Sequence, residues 1–246
     1  MRGRAIPLST GRRIVQDLVA ISGAPKGCGY KRMQLAPVIA AIRAARSPTT
    51  LTIVLAKAIA LVADEFPVLR RMYVRLPWPH LYEVPHSVVS MVIKRQIDGE
   101  SALLFSRITN PAGMPIKRLS AIIRSQRKDP VEKVGSFKTA LRIARLPLIL
   151  RRPLWLLAQN IGRVRASKFG TVGVTAIGAT GVTPTYLVHP MTTVISSGPV
   201  SADGEADIVL SFDHRVYDGH DAAAILRRLE DILLGPILDE LCGMAR

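Results

Sequence analysis

Apolar residues at Ile14, Val15, Leu18, Val19 and Ile21 recur at helical spacing, which predicts a helix over 12–22. Thr10 stands in front as a cap, and Gly23 to Pro25 end it. Gly27-Cys28-Gly29 reads as a turn, residues 30–35 as a short strand and 36–45 as a helix. After Ser47 and Pro48, with Thr49 or Thr50 as cap, residues 51–66 are apolar almost all round, the pattern of a buried helix, and Pro67 stops it. Turn signals follow at Trp78-Pro79, Val84-Pro85 and Asp98-Gly99. Residues 87–97 and 102–108 predict a β-hairpin around Asp98-Gly99. Residues 115–128 predict a helix with Ile116, Leu119, Ile122 and Ile123 inward.

Residues 137–166 carry Lys138, Arg142, Arg145, Arg151, Arg152, Arg163 and Arg165 without one acidic residue. Apolar runs lie between these charges, and Pro147 and Pro153 are expected to divide the stretch into short helices. Two readings fit: a basic amphipathic element on an anionic membrane or over a channel, or helices packed on the core with arginine stems along it.

The last third predicts strands over 170–177, 191–197 and 205–212, an extended segment over 182–190 and a tight turn at Ala202 to Gly204. A closing helix over 220–234 has Ala223, Ile225, Leu226, Leu229, Ile232 and Leu233 on one face. Helices and strands mix without regular βαβ alternation, so the fold class is α+β.

Composition adds a partner class. The balance of 34 Lys+Arg against 18 Asp+Glu gives +16, which suits nucleic acid, a membrane surface or a phosphate-bearing ligand. Few aromatics and no binding motif place nucleic acid last. With 48% hydrophobic residues, the 246-residue chain can build a sizeable core. Cys28 and Cys242 form no disulfide framework or metal spacing and fit a reducing cytoplasm. The N-terminus lacks an apolar signal-peptide segment, and no apolar run approaches the ~18 residues of a spanning helix. These features imply a cytoplasmic protein, with the basic stretch as a route to the inner membrane face.

The chemistry concentrates where the strand over 205–212 meets the closing helix. His214 precedes Asp218 by four residues, and Gly219 follows at once. A histidine near neutral pKa can take a proton from a thiol or hydroxyl. The oxyanion formed in acyl transfer needs a donor already in place, and the Thr175 hydroxyl on the glycine-rich strand is the candidate. H-x-x-x-D-G alone is a short pattern, equally met by a core histidine.

Its surroundings lengthen it. Residues 210–223 read LSFDHRVYDGHDAA, which closely resembles the active-site motif of the dihydrolipoamide acyltransferases, core subunits of 2-oxoacid dehydrogenase complexes, with chloramphenicol acetyltransferase as a distant relative. Residues 172–178 with 182–184 resemble the family's F-T-I-S/T-N-x-G…F-T-P segment. His189-Pro190 followed by 193–195 resembles its N-x-P-E-x-A-I-type turn, and Lys57, Ala58 and Ala60 resemble its K-A-x-A helix. The resemblance implies a chloramphenicol acetyltransferase-like mixed sheet flanked by helices, in a homotrimer with active sites between subunits. It implies coenzyme A-dependent acyl transfer, with His214 as general base and Thr175 of a neighbouring subunit stabilising the oxyanion. Asp218 would brace the site, with Arg12 or Arg13 as its ion-pair partner, and Gly219 would shape the turn. The acceptor would be a thiol, hydroxyl or amine, including a lipoylated or carrier protein.

Three departures stand out. Residues 1–246 read as a single catalytic domain without a lipoyl or subunit-binding domain. The family's G-V-A-V-x-T-P-x-G-L segment is replaced by residues 87–93 and 99–101, and the basic stretch at 137–166 reads as an insertion. The alternative function is a non-catalytic trimeric scaffold or regulatory subunit that keeps the fold.

Overall fold

A computed structural model describes residues 3–7, 26–97, 100–144, 147–176, 181–183 and 190–245. The helix expected over 12–22, with Arg12 and Arg13, and most of the segment 182–190 lie outside the described residues.

The strands are β1 (Arg4–Pro7), β2 (Lys26–Gln34), β3 (Arg71–Val74), β4 (His80–Glu83), β5 (Val88–Ile97), β6 (Glu100–Thr109), β7 (Val172–Ala176), β8 (Thr193–Val200) and β9 (Glu205–Asp213). Among the described residues they form a six-stranded sheet in the order β2-β9-β8-β7-β5-β6 and a three-stranded sheet in the order β1-β4-β3. In the large sheet β7 runs parallel to both β5 and β8, while the other pairs are antiparallel. This is a mixed sheet flanked by helices, in the α+β class expected.

The helices are α1 (Ala36–Ala44), α2 (Leu51–Glu65), α3 (Ile116–Lys128), α4 (Gly135–Ala144), α5 (Leu148–Asn160), α6 (Gly162–Phe169), α7 (Gly219–Ile232) and α8 (Leu238–Gly243). Helix α2 is buried on nearly every side, as its uninterrupted apolar sequence demands. It packs against α3, α7, β5 and β7. Its single cation, Lys57, is buried too. The ammonium donates to the carbonyls of Ala112 (2.9 Å) and Met114 (2.5 Å) and lies 3.6 Å from Glu240 on α8. A buried charge persists only with such partners. Lys57 therefore ties the central helix to a loop and to the C-terminal helix.

Several expectations need correction. Gly27-Cys28-Gly29 is not a turn; it lies inside β2, paired with β9 from Lys26↔Asp213 to Gln34↔Glu205. Gly27 serves close approach to Phe212 and His214 rather than chain reversal, whereas Gly29 faces open space. On α7 the buried alanine is Ala222, not Ala223, since Ala222 lies three, four and seven residues before Ile225, Leu226 and Leu229 and so shares their face. Pro153 does not break α5; the carbonyl it leaves unbonded belongs to Ile149, an exposed residue that water reaches. The small sheet, with its two short strands β3 and β4, had been obscured by flanking turn residues. At the β8–β9 turn the expectation stands. Gly204 adopts φ +81°, and a β-carbon there would strike Ala36.

Candidate active site

Strand β9 enters the site and α7 leaves it. The turn between them is held by the Val216 N–H donating to the Asp213 carbonyl (2.9 Å). Next to it, the Asp213 N–H donates to the Thr192 carbonyl just before β8 (2.9 Å). The alternation of the strand then separates two sets of side chains.

On one side stand Phe212 and His214. Their rings meet edge to face at 4.7 Å between centroids, and Phe212 stacks on buried Tyr217 at 4.8 Å. Tyr217 in turn shares a 2.7 Å hydrogen bond with the Thr193 hydroxyl, and burial pushes its phenol far above the usual range. His214 thus leans on an aromatic wall fixed from behind. Its Nε2 approaches the backbone of β2 so closely that a β-carbon at Gly27 would fall 2.7 Å from it and 2.4 Å from Phe212.

On the other side stand Asp213 and Arg215. Asp213 is buried, and its carboxylate accepts a forked pair of bonds from Arg215, Nε–H at 2.8 Å and Nη2–H at 2.6 Å, plus the Arg215 backbone N–H at 3.0 Å. Arg215 also lies over the Tyr73 ring, 4.3 Å from its centroid. Two more cations face this carboxylate. Lys26 pairs with Asp213 across the β2–β9 ladder, and burial lowers its ammonium pKa to about 8 against the pull of Asp213. Arg165 on α6 is buried and donates to the carbonyls of Tyr73 and Pro190 (the latter at 2.9 Å). Burial lowers its pKa to about 10. Sequence reading missed Asp213, Arg215, Arg165, Lys26 and Gly27 as site residues. The first two flank the histidine; the others come from remote segments, which no local pattern joins to it.

Asp218 is exposed at the N-cap of α7, where its carbonyl accepts the Ala222 N–H (3.0 Å) and its side chain caps nothing. Gly219 begins the helix, with open space where a side chain would stand. Thr175 is half-buried on β7. It pairs with Ser196, which pairs with Val209, five positions before His214. At roughly 3.3 Å per residue and 4.8 Å per strand, Thr175 and His214 of one chain stand on the order of 15 Å or more apart. One chain does not bring the two together. Among the described residues, no group of three or more His, Cys, Asp or Glu side chains is placed to hold a metal ion.

The architecture has relatives among solved structures. The catalytic core of the 2-oxoacid dehydrogenase multienzyme complex of Thermoplasma acidophilum superposes with TM-score 0.60 at 16% identity, over 95% of this chain and 99% of that one. A probable dihydrolipoamide acetyltransferase of Listeria monocytogenes gives 0.58 at 16%, over 94% of each chain. Chloramphenicol acetyltransferase gives 0.58 at 13%, over 94% of this chain and all of its own.

The fold is that of the dihydrolipoamide acyltransferase cores and chloramphenicol acetyltransferase.

At these identities the likeness is one of fold. No protein-family model matches the sequence, and no curated protein matches it either. Within the acyltransferase fold, the histidine-bearing turn joins a central strand of the large sheet to its covering helix, and α4 to α6 lie between β6 and β7.

Proposed function

We propose that the protein is a coenzyme A-dependent acyltransferase, working as a homotrimer whose sites lie between subunits. The observation that carries this reading is the setting of His214. Its ring is propped on Phe212, its Nε2 is brought over a side-chain-free position in β2, and its turn is locked by the Asp213–Arg215 fork. A structural histidine needs no such set of supports.

In this reading His214 takes the proton from the acceptor's thiol, hydroxyl or amine as that atom attacks the thioester carbonyl of acyl-coenzyme A. The carbonyl π electrons move onto oxygen, and the Thr175 hydroxyl of a neighbouring subunit donates to the resulting oxyanion. Collapse of the intermediate expels the coenzyme A sulfur, which receives the proton from His214. The in-chain separation of Thr175 from His214 suits a site completed by a second copy. Asp218, at the N-cap of α7, would brace the turn, and Arg12 or Arg13 would pair with it. The acceptor, whether a lipoylated or carrier protein or a small molecule, is left to experiment. His214→Ala, offered a panel of acyl-coenzyme A donors and thiol, hydroxyl and amine acceptors, is expected to lose turnover about 100-fold or more. Full turnover would remove His214 from the catalytic role, and a wild-type protein inactive with every donor and acceptor would return the chain to the scaffold reading.

A second observation favours work at an anionic membrane surface. On α5, Ile149 is 80% exposed, Leu156 58% and Leu157 56%, and the sequence has no acidic residue between Glu132 and Asp203. Apolar residues standing out of a basic surface fit the interface of an anionic bilayer. Among the described residues, no helix is long and apolar enough to cross one.

A further inference from the structure

Helices α4, α5 and α6 enclose a cavity of about 260 Å³ against β6, and its walls change character along its length. On α4, Thr139 and Ile143 line it one turn apart. On α6, Val164 and Lys168 line it with the same spacing, and Ile161 precedes them on the same face. Arg107 of β6 fixes which ends meet. Its guanidinium donates to the Lys168 carbonyl at the end of α6 (2.7 Å) and to the Ser136 carbonyl at the start of α4 (3.2 Å). Ile143 and Ile161 each stand seven residues from those bonds, roughly 10 Å along their helices. Charge is thus gathered at one end of the cavity and hydrocarbon at the other. Helix α5 covers the apolar part with Trp155 and Ala158, and Trp155 packs on Phe169 at 5.4 Å between centroids. Leu154, Leu157 and Ile161 line the cavity yet are 41%, 56% and 50% exposed, so they form its open lip.

The polar end has no carboxylate of its own. The sequence holds no acidic residue between Glu132 and Asp203, so all three helices lack one. Burial holds the Arg107 guanidinium below its usual pKa, and no carboxylate among the described residues acts against that shift. The adjoining cavity of about 420 Å³, which shares Trp155, is different. There Asp213 faces Lys26, Arg165 and Arg215, so that cavity already contains its anion.

We propose that the cavity between α4, α5 and α6 binds a single-chain fatty anion, its hydrocarbon among Ile143, Leu157, Ile161 and Val164 and its oxyanion head at Arg107 and Lys168. The chain buries an apolar lip that otherwise stands in water. The head makes charge-assisted hydrogen bonds to two cations that no carboxylate of the described residues holds. The assignment goes beyond acyl transfer and does not depend on the chemistry at His214.

The test is binding, read without turnover. Octanoate, hexanoate, octyl phosphate and octanol are titrated below micelle-forming concentration into a Trp78→Phe protein, so that Trp155 is the reporter. Octanoate and octyl phosphate should each shift its emission and bind about tenfold more tightly than octanol. An advantage confined to one of them assigns the head to that group. Octanoate should also bind about tenfold more tightly than hexanoate, because two further methylenes are buried. Ala158→Phe, which fills the apolar part, should weaken octanoate and octanol alike by about tenfold. Lys168→Gln should weaken octanoate about fivefold and leave octanol unchanged, a result that stands even where the phenylalanine variant folds poorly. Both positions line this cavity and not the adjoining one. Ile149→Glu with Leu156→Glu, at residues that do not line the cavity, should keep octanoate binding and so separate the site from a general membrane-seeking surface. Octanol as tight as both anions, octanoate no tighter than hexanoate, indifference to Ala158→Phe, or loss of binding in the Ile149 and Leu156 variant would each overturn the assignment.

Discussion

The Nε2 of His214 stands where a side chain at Gly27 would be; a β-carbon there would fall 2.7 Å from it. The two residues are 187 positions apart in sequence, and the β2–β9 ladder, pairing Gly27 with Phe212, brings them together. The glycine is thus a shape requirement of the histidine. Gly27→Ala should force Phe212 and His214 aside at a cost of about 1–3 kcal/mol in stability. Turnover should fall about tenfold or more while the fold persists, as checked by urea denaturation and thioester assays. An alanine variant with wild-type turnover would show that the ring position is unimportant.

Lys57 supplies a stability prediction away from the chemistry. Lys57→Met removes the donor for the Ala112 and Met114 carbonyls and leaves Glu240 without its nearby ammonium. The expected loss is roughly 2–4 kcal/mol, read as a lower urea midpoint with an unchanged slope. Glu240→Gln should cost less, because the amide oxygen can still accept from the Ile116 N–H, now bonded to the carboxylate at 2.6 Å.

Arg215 fixes the turn by a planar fork that an ammonium cannot reproduce. Arg215→Lys should lower kcat about tenfold or more with little change in KM for acyl-coenzyme A. A change confined to KM would move Arg215 from positioning the turn to binding the cofactor.

Much of this was legible in the sequence, for identifiable reasons. The helices over 51–66 and 115–128, the antiparallel pair β5–β6 and the strand into His214 followed from periodicity, because each buries a face set by its own residues. The cationic set around Asp213 was not legible. Lys26 reaches it through strand pairing and Arg165 through the packing of α6, relations that depend on tertiary structure. Gly27 was misread for the same reason, since a glycine at a turn and one beneath a ring look alike in sequence. The basic stretch yielded its three helices only partly, because Pro153 suggested a break that exposure of Ile149 makes unnecessary.

Lys26 makes stability depend on pH. Its folded pKa of about 8 lies below the ordinary 10.5 because of burial, so the unfolded chain binds the proton more tightly. Stability from this group is therefore lowest below about pH 8 and rises as pH climbs toward 10.5. Lys26→Met should raise the urea midpoint at pH 7 and lose most of that advantage by pH 10. An advantage that is the same at both pH values would refute the sign.

The exposed leucines of α5 predict membrane association. The protein should float with anionic vesicles and not with neutral ones, and Ile149→Glu with Leu156→Glu should abolish flotation without unfolding. Binding to neither vesicle, or equally to both, would remove the membrane reading.

The central claim is that His214 and Thr175 act together across a subunit boundary. His214→Ala and Thr175→Ala proteins, each inactive or nearly so, should be refolded together in equal amounts and assayed for acyl transfer from acyl-coenzyme A. Random reassembly places an intact histidine beside an intact threonine at one interface in each mixed trimer, about a quarter of all interfaces formed, so activity should return to about that fraction of wild type. Mixed trimers no more active than the separate variants would contradict a site shared between subunits.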